Sequence, residues 1–112
     1  MSRRDLERLA DIHQAVAAIR SHITRGDQSD GLVFDAVRVR LIEIGEAIKA
    51  LPAKLLDTEP GIPWTDIARI RDRLAHRYFD TEHSLVAGSV HHDLTPLDDA
   101  VTHLEGRVKA TE

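Results

Sequence analysis

The chain has 112 residues, 42% hydrophobic, 30% charged and 4% aromatic, with a formal net charge of -4 and no cysteine. That balance describes one soluble domain over residues 1–112 with a mostly aliphatic core, and it excludes a fibre, a disulfide scaffold and every thiolate metal site. It also argues against a non-specific nucleic-acid binder with a broad basic surface, while leaving room for a local basic site.

The opening stretch MSRRDLERLADIHQ is charged and has no apolar run of the length a signal peptide or membrane span needs, so a cytoplasmic location is expected. Leu6, Leu9, Ile12, Val16, Ile19 and Ile23 recur every three or four positions and predict a first helix ending near Gly26. A second stripe, Val33, Val37, Leu41, Ile44, Ile48 and Leu51, predicts a helix with Asp30 as N-cap and Pro52 as its stop. The segment PAKLLDTEPGIP holds three of the four prolines and reads as a connector with room for one helical turn.

A third long helix follows, with Pro63 in its first turn and Trp64, Ile67, Ile70 and Leu74 as its buried stripe. FDTEH interrupts the pattern, and a short helix weakened by Gly88 is expected around Leu85 to His91. The last helix is marked by Thr95 as N-cap, Pro96 at its first position, acidic Asp98 and Asp99 near its start, and a stripe of Leu94, Leu97, Val101, Leu104 and Val108. The fold class is therefore all-α, an up-and-down bundle of four to five helices. Its two long stripes carry more aliphatic residues than one slender bundle readily hides, which points to a homodimer.

Charge is concentrated in one place. Between Asp66 and Tyr78 stand four arginines, Arg69, Arg71, Arg73 and Arg77, against two aspartates, Asp66 and Asp72. At 100° per residue, Arg71 and Tyr78 fall about 20° apart on the helical wheel, and Asp72 and His76 about 40° apart one stripe over. Arginine, histidine and tyrosine thus crowd one edge of a helix end. A histidine near its ordinary pKa of about 6.5 can take or give a proton at neutral pH, and a guanidinium can hold two oxygens of a developing phosphorane. Those residue types suit cleavage of an RNA phosphodiester through the ribose 2'-hydroxyl. The competing reading is a solvated Arg-rich helix end with a surface ion pair.

The string RDRLAHRY, with DAVRVRLIEIGEAIKAL before it and HDLTPLDDAVTHLE after it, resembles the R-x-x-x-x-H-x-Y motif and successive blocks of the HepT-type HEPN-domain ribonuclease toxins. That resemblance implies a HEPN-like helical homodimer with a composite, metal-independent RNase site, no cofactor, RNA as substrate, and a nucleotidyltransferase antitoxin as partner. Arg71 and His76 would be its catalytic pair, and Tyr78 the tyrosine that the antitoxin adenylylates. Arg73 would support the site, and Glu46 resembles a family position near it. Asp72 departs from the neutral polar residue often found there. It could orient His76 and raise its pKa, and it would also repel RNA phosphate. The alternative within the same resemblance is a non-catalytic HEPN subunit that binds a nucleotide or docks onto a nucleotidyltransferase.

Outside the motif, His91 and His92 are adjacent, so their side chains diverge and make a poor metal pair. His13, His22 and His103 sit on polar or mixed faces and are expected to be solvated; Trp64 is expected to anchor the core. No phosphate-binding glycine loop, dinucleotide fingerprint or serine-nucleophile elbow is present.

Overall fold

A computed structural model of the chain describes residues 3–26, 30–75 and 94–111. Among them lie five helices and no strand: α1 (Arg3–His22), α2 (Gly31–Ala50), α3 (Ala53–Leu56), α4 (Trp64–Ala75) and α5 (Leu94–Ala110). The expected short helix around Leu85 to His91 lies outside the described residues.

The helical period of the apolar residues translates directly into burial. α1 buries Leu9, Ile12, Val16 and Ile19, α2 buries Val33, Val37, Leu41, Ile44 and Ile48, and α5 buries Leu94, Leu97, Val101, Leu104 and Val108. These side chains form a single aliphatic cluster to which Leu51, Leu55, Trp64 and Leu74 also belong. α1 packs on both α2 and α5, and α2 packs on α4, so α2 lies between the first helix and the motif-bearing one.

The chain's stops and starts have local causes. Asp30 caps α2, its Oδ1 accepting from the amides of Leu32 at 2.9 Å and Val33 at 3.4 Å. At the other end Leu51 is extended, with ψ 147°, as a residue before proline must be. The connector contains one helical turn, α3, whose Leu55 is fully buried. Pro63 stands immediately before α4, and its carbonyl accepts from Ile67 N at 3.0 Å.

Three expectations shift at helix edges. α1 stops at His22 because Thr24 turns back onto Ser21 O through both its amide (3.2 Å) and its hydroxyl (2.6 Å), leaving Ile23 37% exposed rather than buried. α5 already includes Leu94, so Thr95 sits inside its first turn, and its hydroxyl accepts from Arg20 Nη2 at 3.0 Å. On α4, Trp64 and Leu74 are buried, whereas Ile67 and Ile70 are only partly covered.

Candidate functional site

The motif-bearing helix meets α2 at a glycine. Gly45 lies in the interior of α2, where glycine costs about 1 kcal/mol relative to alanine, so its presence needs a packing reason. A Cβ there would collide with Arg71 Cβ, stand 3.3 Å from Arg71 Cγ and lie 3.5 Å from the carbonyl oxygen of Ala68. The missing side chain lets α4 come close enough for the Arg71 stem to lie across the α2 backbone.

The turn of α2 that follows Gly45 supplies the partners. Arg71 Nε faces Glu46 Oε1 in a tight ion pair, and Arg71 Nη1 donates to Asp72 Oδ1 at 3.1 Å. Lys49, three residues beyond Glu46, donates from Nζ to the same Asp72 Oδ1 at 2.7 Å. Among the described residues, two cations and two carboxylates thus meet between α2 and α4. Each remains in touch with solvent, with side-chain exposures of 35% for Arg71, 40% for Lys49, 46% for Asp72 and 52% for Glu46. Asp72 and Glu46 hold the Arg71 guanidinium above its ordinary pKa. Lys49 first, then Arg71, pulls the Asp72 carboxyl below the usual aspartate value.

Other contacts fix α4 along its length. At its start, Trp64 Nε1 donates to the carbonyl of Glu59 at 3.0 Å, so the anchor expected from sequence is both buried and bonded. The Glu59 side chain meets His103 Nδ1 and Arg107 Nη1, each at 2.9 Å, which ties the connector to α5 and holds that carboxyl below its usual pKa. Further along α4, Arg38 Nη2 donates to the carbonyl of Leu74, a second tie between α2 and α4.

Of the residues singled out from sequence, the structure brings Arg71, Asp72 and Glu46 together. Arg73 is exposed and lines a depression with Asp66, Arg69 and Ile70, a set that includes none of the four residues of the Arg71 cluster. His76, Arg77, Tyr78, His91 and His92 lie outside the described residues. Lys49, Gly45 and Arg38 were not legible as part of the site. An arginine 26 positions after a glycine carries no periodic signal, and only the α2–α4 packing joins them.

His13 corrects an expectation. Rather than being solvated, it lies between α1 and α5 with Nδ1 2.5 Å from Asp98 Oδ1 and Nε2 2.7 Å from Glu105 Oε1. Ionised carboxylates only accept, so both ring nitrogens must donate and the ring is an imidazolium. Partial burial opposes that charge, but the bonds and fields of Asp98 and Glu105 outweigh it, and the His13 pKa lies above 6.5. Asp98 also meets Arg20 Nη1 at 3.3 Å. His103 is largely exposed, as expected, yet paired with Glu59.

An all-α, HEPN-like bundle whose motif helix is seated on a glycine and whose arginine is held by flanking carboxylates defines the class of protein. Residues 7–104 match the sequence profile of the family described as Ribonuclease HepT-like, and the chain belongs to that family. It is similar to the "Probable ribonuclease HepT" of Thermococcus cleftensis, with 32% identity over 102 residues, covering 87% of this chain and 92% of that one. A "Putative RNase" of Methanocaldococcus jannaschii is 34% identical over 73 residues, covering 61% of this chain and 60% of the relative. Another, from Caldanaerobacter subterraneus, is 33% identical over 67 residues, covering 59% of this chain and again 60% of the relative. The chain therefore spans about three fifths of the length of these last two relatives. No solved structure matches.

Proposed function

We propose that this chain is a metal-independent endoribonuclease toxin of a toxin–antitoxin pair, acting as a homodimer on RNA. The 2'-hydroxyl oxygen attacks the adjacent phosphorus while His76 accepts its proton. The bond to the 5'-oxygen breaks as the partner's His76, protonated, gives that oxygen a proton. The products are a 2',3'-cyclic phosphate and a 5'-hydroxyl. Arg71 offsets the charge that grows on the non-bridging oxygens, a role for which guanidinium geometry is suited.

The observation that carries this reading is Arg71 itself. It opens the R-x-x-x-x-H-x-Y order and is presented at the bundle surface, held by Glu46 and Asp72 rather than buried. Membership of the ribonuclease family supports RNA as the substrate. Leu32 and Val39, exposed by 83% and 48% and seven residues apart on one side of α2, support a surface that a second copy covers. Tyr78 is the residue we assign to adenylylation by a nucleotidyltransferase antitoxin, since an AMP group brings negative charge and bulk into competition with RNA phosphate for Arg71.

A second reading has one observation in its favour: among the described residues the Arg71 cluster pairs two positive with two negative groups, as a non-catalytic HEPN subunit that docks onto a nucleotidyltransferase would tolerate. Incubating RNA with the protein in EDTA separates the two. Cleavage that survives chelation, leaves cyclic phosphate ends and disappears in His76→Ala supports the nuclease. Absence of cleavage, or equal cutting by His76→Ala, overturns it. For Tyr78, intact mass after incubation with ATP and the antitoxin rises by AMP units in the wild type and stays unchanged in Tyr78→Phe.

A further inference from the structure

Asp72 was expected from sequence to repel RNA phosphate, because it places a negative charge beside Arg71. Its surroundings suggest the opposite. A single oxygen, Oδ1, accepts both from Lys49 Nζ at 2.7 Å and from Arg71 Nη1 at 3.1 Å. Two nitrogens bonded to one oxygen lie within about 6 Å of each other, a separation that the two non-bridging oxygens of one phosphodiester can span. The cations come from different helices, α2 and α4, and sit together because Asp72 brackets them. The closest contacts of Arg71 with its two carboxylates are made through Nε and Nη1. Lys49 and Arg71 both keep more than a third of their side-chain surface open.

We propose that Lys49 is a second phosphate-binding residue of this site, positioned by Asp72, so that Lys49 and Arg71 grip one RNA phosphate as a two-cation clamp. Glu46 holds the guanidinium on its Nε side and sets the face that Arg71 turns to the RNA. Asp72 acts through Lys49 and is a positioning residue. The inference rests on the ribonuclease reading for the identity of the ligand and deepens that reading by naming the contact on α2.

The test uses the full-length protein and two readouts. Binding is followed by fluorescence anisotropy with a labelled single-stranded RNA carrying 2'-O-methyl groups, which cannot be cleaved, over a series of salt concentrations. Cleavage is followed separately on unmodified RNA. Lys49→Met weakens binding about tenfold at low salt, the scale of one charge-assisted hydrogen bond at a part-exposed site. It also flattens the log–log salt dependence by about 0.7, the contribution of one phosphate contact on a single strand. Lys49→Arg retains most of both. Asp72→Asn also weakens binding, severalfold, because Lys49 loses its bracket.

The sign of the Asp72→Asn effect decides between the two views, since a repelling carboxylate predicts tighter binding when it is neutralised. Tighter binding by Asp72→Asn, or an unchanged salt slope in Lys49→Met, overturns the clamp. Circular dichroism on each variant shows that the helices are intact. If the wild type binds RNA with this dependence on Lys49 but never cuts the unmodified strand, the clamp stands and the nuclease reading falls. If it cuts while Lys49→Met binds and cuts equally well, the nuclease stands and the clamp falls.

Discussion

Gly45→Ala is the substitution that most directly probes how packing builds the site. Two effects oppose each other. Alanine in the interior of α2 gains about 1 kcal/mol of helix propensity over glycine, and on an open helix face that gain would be realised. Here the new methyl collides with Arg71 Cβ, which is the rigid root of the side chain and not a tip that can swing aside. Restoring a carbon–carbon separation of about 3.5–4.0 Å requires α4 to retreat by about 1–1.5 Å. Overpacking of this kind costs roughly 1–3 kcal/mol.

The collision therefore wins by about 1 kcal/mol on balance, with a drop in melting temperature of about 4 °C for a domain of this size. A second consequence is chemical. The retreat of α4 carries Arg71 away from Glu46 and Asp72 away from Lys49, so RNA cleavage falls by more than the small loss of folded protein explains. Thermal unfolding by circular dichroism and cleavage assays at a temperature where both proteins are folded measure the two effects. A variant that is more stable than the wild type and equally active would refute the close approach of the helices at this point. Gly45→Ser should behave likewise or worse, since the hydroxyl adds volume at the same place.

Two further outcomes follow from other contacts. His13, with a folded pKa above 6.5, contributes stability that is fully present below its unfolded value and is lost as pH rises through the folded one. The wild type should thus exceed His13→Gln in melting temperature by several degrees at pH 6, with the gap closing at high pH; a gap independent of pH would show that the ring is not charged. Asp30→Ala removes the acceptor for Leu32 N and Val33 N and should cost about 1 kcal/mol, visible as a lower urea midpoint with an unchanged slope, while Asp30→Ser should keep most of the wild-type value.

The four long helices, the turn within the connector and most of the core are read from the chain in order, because the spacing of apolar residues, a capping aspartate and the prolines act over a few positions. The part of the motif carried by Arg71 is equally local. Its setting is not. Glu46 and Lys49 reach Arg71 and Asp72 from more than twenty residues away, and only the approach of α2 to α4 over a bare glycine makes them neighbours.

His13 shows the same division. On its own helix it occupies a mixed face that says nothing of partners, and its acceptors, Asp98 and Glu105, lie 85 and 92 positions further on. Periodicity specifies which side of a helix is apolar, since that depends on the chain's own geometry. Which charged groups meet depends on how the helices dock. Docking is decided by the shapes of the buried faces, so the electrostatics of this site arise only once the bundle has closed.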